Sequence, residues 1–101
     1  MAKKRQNSIS DLIIFSLYAI NGGRGAPFEK LAYEAFKKFP EEFCLKGYPK
    51  LLDTRKLDRP IRNLRKKGLV NGSPETLFSL TAKGEKAAKV INERLKQKAL
   101  F

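Results

Sequence analysis

Residues 53–87 read DTRKLDRPIRNLRKKGLVNGSPETLFSLTAKGEKA, and the patterns along them run in the order basic helix, short β-hairpin, capped helix start. In the first part Leu57, Ile61, Leu64 and Gly68 follow at spacings of four, three and four. They therefore share one face of a helix with ~3.6 residues per turn, and that face turns inward. Arg55, Arg59, Arg62 and Lys66 repeat at the same spacing two positions earlier, which places them on the opposite side as a continuous cationic ridge. Asp53 or Thr54 is the candidate N-cap, and Gly68 stands where helices commonly stop. Pro60 falls inside the helix, where the lost N–H and the clash with the carbonyl of Lys56 predict a kink or a restart near Asp58. Leu69–Asn71 and Leu77–Leu80 read as strands around the turn at 72–76, which is too long for a two-residue hairpin. Thr81 caps a last helix with Gly84, Ala87, Ala88, Ile91 and Leu95 inward and Lys86, Lys89 and Lys96 outward.

Upstream, a helix is expected from Ser8 or Ser10 to Ile20, with Asp11 at the positive end of its dipole. Ile9, Leu12, Ile13, Ser16, Leu17 and Ile20 make its buried side. The glycines of Asn21–Gly25 end it. This GGRG run lacks both the Lys-Ser/Thr of a P-loop and the spacing of GxGxxG, so it is read as a turn. A second helix starts at Pro27 and reaches Phe39, with Phe28, Leu31, Ala32, Ala35, Phe36 and Phe39 inward. The link from Pro40 to Leu52 is long for a helix-turn-helix connection. A short extra helical turn is expected over 41–46, with Phe43, Leu45, Tyr48 and Leu51 or Leu52 covering the core edge.

The 101 residues suffice for one domain, here 8–98, preceded by a basic arm at 1–7, expected to be disordered, and followed by a short tail at 99–101. No repeat, low-complexity segment, signal peptide or 18-residue apolar run is present, so a soluble protein of the cytoplasm or nucleoid is expected. Cys44 is the lone cysteine and there is no histidine, which leaves no disulfide and no Cys/His zinc cluster. Without histidine the usual general base is missing, and Asp53 and Asp58, five apart on a basic helix, suit a cap and a charge spacer better than a metal pair. No enzyme, cofactor, metal site or small-molecule effector is expected.

Twenty-two Lys and Arg against ten Asp and Glu give a net charge of +12. For a domain this small, that imbalance points to a polyanion. A membrane surface would call for a broad exposed apolar helix face, whereas the apolar stripes here are narrow and suit packing against one another. Arginine makes bidentate bonds to guanine and asparagine to adenine in the major groove. The outward helix therefore supplies candidate duplex-DNA contacts at Arg55, Lys56, Arg59, Arg62, Asn63, Lys66 and Lys67, the last two toward phosphates. Asn71 and Ser73 on the hairpin, and Lys3, Lys4 and Arg5 in the arm, complete the set. A binder of RNA or single strands would interleave exposed aromatics with these cations, and the helix has none.

The segments Leu64–Leu69 and Leu80–Gly84, within LRKKGLVNG and LFSLTAKGEKAAKVI, resemble winged helix-turn-helix DNA-binding proteins. In these a leucine-arginine-rich helix passes through Gly-Leu-Val into a hairpin closed by Leu-Thr-x-x-Gly. The chain is similar to multiple-antibiotic-resistance-type and PadR-type repressors and to small winged-helix proteins of viruses and plasmids. It departs from them in Pro60, the long link and an acidic wing tip at Glu75. The resemblance implies a mostly helical α+β fold with a three-helix core, a two-stranded wing and a C-terminal helix. It also implies a transcriptional regulator reading duplex DNA with the helix at 53–67; winged-helix modules that bind other proteins are the alternative. A homodimer is expected through Ile91, Leu95, Leu100 and Phe101 at the end of the last helix.

Overall fold

The Ser8 hydroxyl accepts from the backbone N–H of Asp11 at 3.2 Å while the Asp11 carboxylate accepts from the Ser8 N–H at 3.3 Å. This reciprocal cap starts α1, Ile9–Ala19. The computed structural model describes residues 8–73 and 75–99. A 3-10 turn at Asn21–Gly23 follows α1, then α2 (Phe28–Lys38), α3 (Pro40–Phe43), β1 (Cys44–Leu45), β2 (Tyr48–Leu52), α4 (Arg55–Lys66), β3 (Val70–Asn71), β4 (Ser79–Leu80) and α5 (Ala82–Ala99). The arm at 1–7, with Lys3, Lys4 and Arg5, and the tail residues Leu100 and Phe101 lie outside the described residues.

The helix α1 packs against α2, α4 and α5 at once. A helix surrounded in this way must be apolar over most of its circumference. Leu12, Ile13, Ile14 and Leu17 are accordingly buried together, and Ile14 joins them although the expected stripe left it out. Ser16 is buried in the same face, and its hydroxyl donates to the Leu12 carbonyl at 2.8 Å, so no polar atom there is unsatisfied. From α2 come Leu31, Ala32 and Ala35, from α4 Leu57, Ile61 and Leu64, and from α5 Ala88 and Ile91. Phe28, Phe36 and Phe39 are half-buried at the rim rather than in the core. The ring pairs Phe15–Phe39 and Phe28–Phe78 close that rim edge to face.

Three further expectations are corrected. In the link after α2 the expected helical turn is confined to α3, and from Cys44 the chain is a hairpin: β1 and β2 pair antiparallel, Leu45 opposite Tyr48. Phe43 and Leu52 pack on the core as expected, whereas Tyr48 and Leu51 are exposed. Pro60 does not restart the helix, since α4 runs as one element from Arg55 to Lys66. Pro27 precedes α2 in extended conformation rather than occupying its first turn.

The wing pairs Val70 with Leu80 and Asn71 with Ser79. Ala26 adds a third rung by exchanging two backbone hydrogen bonds with Phe78, at 2.9 and 2.8 Å, which ties the α1–α2 connection to the wing. The Thr81 hydroxyl donates to the Gly68 carbonyl at 2.6 Å and accepts from the Gly84 N–H at 3.0 Å, joining the end of α4 to the start of α5. Gly84 is required there, because a Cβ would stand 2.1 Å from the Leu69 carbonyl oxygen. A three-helix core, a β-hairpin wing and a C-terminal helix make this a winged helix-turn-helix fold.

Candidate nucleic-acid interface

Burying Leu57, Ile61 and Leu64 fixes the rotation of α4 and so decides what its other side offers to solvent. Arg55, Arg59, Arg62, Asn63 and Lys66 are exposed on that side, and Lys67 continues them past the helix end. Lys56 is half-buried on the flank and lines a surface cleft in which Glu41 and Glu42 face the ridge residues Arg55, Arg59 and Arg62. The ridge and the buried stripe come from one amphipathic pattern, so neither can be turned without the other.

Side-chain partners hold two of the arginines. The Asp53 carboxylate accepts from the Arg55 backbone N–H at 3.1 Å and from its guanidinium at 3.3 Å, so Asp53 supplies the side-chain cap of α4. Desolvation pushes the Asp53 carboxyl up, but the hydrogen bonds from Arg55 and the charges of Arg55 and Lys56 outweigh it and hold the group below its ordinary value. Arg62 pairs with Asp58 one turn earlier in the helix. Both guanidinium groups remain largely in water, so these pairs orient the side chains more than they stabilise the fold.

Arg65 was not among the expected contacts, yet it is exposed and lines a cleft with Arg62, Lys66, Val70, Asn71 and Gly72, where α4 meets the wing. Its signal was present, since it stands three residues after Arg62 and so borders the same ridge. On the wing Asn71 is exposed, while Ser73 is drawn into the loop: its N–H donates to the Thr76 hydroxyl at 3.0 Å and its carbonyl accepts from the Thr76 N–H at 3.0 Å. From α5 the Lys83 ammonium reaches the Lys67 carbonyl at 3.4 Å, adding a cation at the C-terminal end of α4.

The expected dimer residues fare differently. Ile91 is 2% exposed inside its own chain, and Leu95 packs half-buried against the same core. Ile91 is therefore corrected to a core residue: α5 lies on α1, and the periodicity that marked Ile91 as apolar is satisfied within the monomer. Val90 is the large apolar side chain that α5 exposes, at 59%.

Among the described residues no helix is long and apolar enough to cross a membrane, and no group of three or more His, Cys, Asp or Glu could hold a metal ion. Cys44 is half-buried, its thiol 3.9 Å from the Glu41 carbonyl.

No protein-family model and no curated protein matches the chain. Among solved structures, the crystal structure of SSV1 F-93 is similar with a TM-score of 0.65 over 97% of this chain and 98% of that one, at 17% sequence identity. A likeness at that identity carries the fold, and it extends across the whole winged-helix unit rather than one half of it.

Proposed function

We propose that the chain is a non-catalytic, sequence-specific double-stranded DNA-binding protein that acts as a transcriptional regulator at the nucleoid, as a homodimer, with α4 in the major groove. The observation that supports this most directly is the exposed row Arg55, Arg59, Arg62, Asn63 and Lys66, held outward by the burial of Leu57, Ile61 and Leu64. The N-terminal part of such a helix meets base edges and its C-terminal cations meet phosphates. Arg59, Arg62 and Asn63 are assigned to bases, and Lys66 and Lys67 to the backbone. Arg65 joins the backbone contacts at the wing cleft. The likeness to SSV1 F-93 supports a winged-helix framework for this reading.

Selection of bound fragments from random duplex DNA tests it. One sequence pattern is expected to emerge, and neutralising ~4 to 6 phosphates gives log K against log salt a slope of about −4 to −5. Arg59→Ala or Arg62→Ala is expected to cost ~1 to 3 kcal/mol on the selected site and to relax the preference, while Lys67→Ala weakens all sequences alike. Profiles identical to wild type for both arginine variants would remove α4 from the reading role. Equal affinity for heparin and for every duplex would reduce the ridge to nonspecific charge.

A further inference from the structure

The recognition helix stands between two hairpins of opposite electrostatic character. β3–β4 leaves its C-terminal end, and between Val70 and Leu80 that hairpin carries Glu75 and no lysine or arginine. Its tip hydroxyls, on Ser73 and Thr76, lie 3.2 Å apart and are engaged with each other. β1–β2 enters the N-terminal end of α4, and between Cys44 and Leu52 it carries Lys46 and Lys50 and no carboxylate. The β3–β4 hairpin therefore supplies no cation of its own beside the Arg65 cleft, and the hairpin cations stand on β1–β2.

The local geometry keeps that hairpin in place. The Asp53 N–H donates to the Phe43 carbonyl at 2.8 Å, which closes the base of the hairpin, and only Asp53 and Thr54 separate β2 from the first turn of α4. Phe43 is fully buried and anchors that base in the core. The turn is Lys46–Gly47, with Gly47 at φ +82°, a conformation that glycine adopts without the Cβ penalty. Beyond the base the strand is open to solvent. Residues Tyr48, Pro49, Lys50 and Leu51 are all exposed, Tyr48 at 59% and Leu51 at 52%. Tyr48 and Lys50, two apart in a strand, share one face. Lys46 and Lys50 enter no ion pair among the described residues. Unpaired ammonium groups beside a phenol hydroxyl are donors of the kind that contact phosphate and sugar oxygens.

We propose that the 44–52 hairpin is a second DNA-contacting element, gripping the phosphate backbone of the duplex next to the N-terminal end of α4 through Lys46, Lys50 and Tyr48. The inference rests on the DNA-binding reading above and assigns these residues to backbone contact, not to base reading.

The test uses the full chain and the duplex found by selection. Lys46→Ala/Lys50→Ala is expected to melt like wild type, since both side chains are exposed and unpaired. Removing two phosphate contacts flattens the slope of log K against log salt by about two and weakens binding on the order of tenfold at 0.1 M salt. The sequence preference stays as in wild type, and a hydroxyl-radical footprint shortens on one side of the site. Lys46→Arg/Lys50→Arg restores slope and footprint, and Tyr48→Ala loses the same flank. An unchanged slope and footprint in the double alanine variant, alongside lost preference in Arg59→Ala, overturns the hairpin while leaving α4 as the reader. A change in sedimenting mass with no change in salt slope also overturns it, because the hairpin would then be a contact between protein chains. If the wild type binds no duplex at any salt, the DNA-binding reading itself falls.

Discussion

Asp58 is the carboxylate on a helix otherwise lined with cations, and on the proposed DNA-binding reading its position makes it a brake on indiscriminate binding. In the free protein it holds Arg62, and its side chain is half exposed. If α4 binds a duplex as proposed, Arg62 trades that partner for a phosphate or a guanine. The released carboxylate then faces a polyanion unless a cytosine amino group donates to it. Asp58→Asn is expected to strengthen binding to random duplexes by up to ~5-fold, the scale of an exposed ion pair, and to narrow the gap between selected and random sites. Competition titrations with both duplexes measure it; weaker binding to both would instead make Asp58 the residue that aims Arg62. Asp53 acts differently. Its carboxyl titrates below the ordinary value in the folded chain, so its charged form favours folding. That contribution is complete above the ordinary carboxylate range and is lost as pH falls through the depressed value. Asp53→Asn is therefore expected to lower the urea midpoint at pH 7, and the gap from wild type is expected to close on acidification. A gap that stays constant across the range would mean that the cap works without its charge. Both carboxylates were legible as cap and spacer because their neighbours in sequence are also their partners in space.

At the scale of elements, the α4–wing–α5 unit could be read in the chain because each joint has a local physical cause. The spacing of Leu57, Ile61 and Leu64 sets the rotation of α4, and Thr81 bonds both of the helix ends it lies between. Gly84 leaves room for the Leu69 carbonyl. Gly84→Ala is accordingly expected to destabilise by ~1 to 3 kcal/mol, because backbone must move to admit one methyl group. For a domain of this size that lowers the melting temperature by roughly 4 to 8 °C per kcal/mol. A melt unchanged within a degree would show that α5 slides freely on the wing. The first hairpin was not legible for the converse reason. Its strand buries no alternating face, and it contains Pro49, a residue that blurs the pattern of a strand. Lys46–Gly47 was the one local turn signal. The Ala26–Phe78 rung was equally hidden, since a single pair of residues far apart in sequence leaves no periodicity.

For the whole molecule, the proposed reading turns on whether one copy or two would engage DNA. Apolar spacing on α5 cannot distinguish a face that packs on α1 of the same chain from one that packs on a second copy, and Ile91 turned out to be the former. The interface proposed for the homodimer therefore moves to the outer side of α5, where Val90 is exposed, while Leu100 and Phe101 lie outside the described residues. At ~1.5 Å per residue the 18 residues of α5 span about 27 Å, comparable with the 29 Å intermediate dimension of the molecule. A twofold pair would set two α4 ridges about one helical turn of DNA apart, so the selected site is expected to be an inverted repeat with half-site centres ~34 Å apart. Sedimentation at micromolar concentration is expected to give twice the chain mass of 11.5 kDa. Val90→Glu is expected to return the mass to one copy and to reduce the footprint to one half-site, while leaving the base preference within that half-site intact. A wild-type mass of one copy would remove the homodimer and with it the palindrome, and the site would then be read by a single α4 helix.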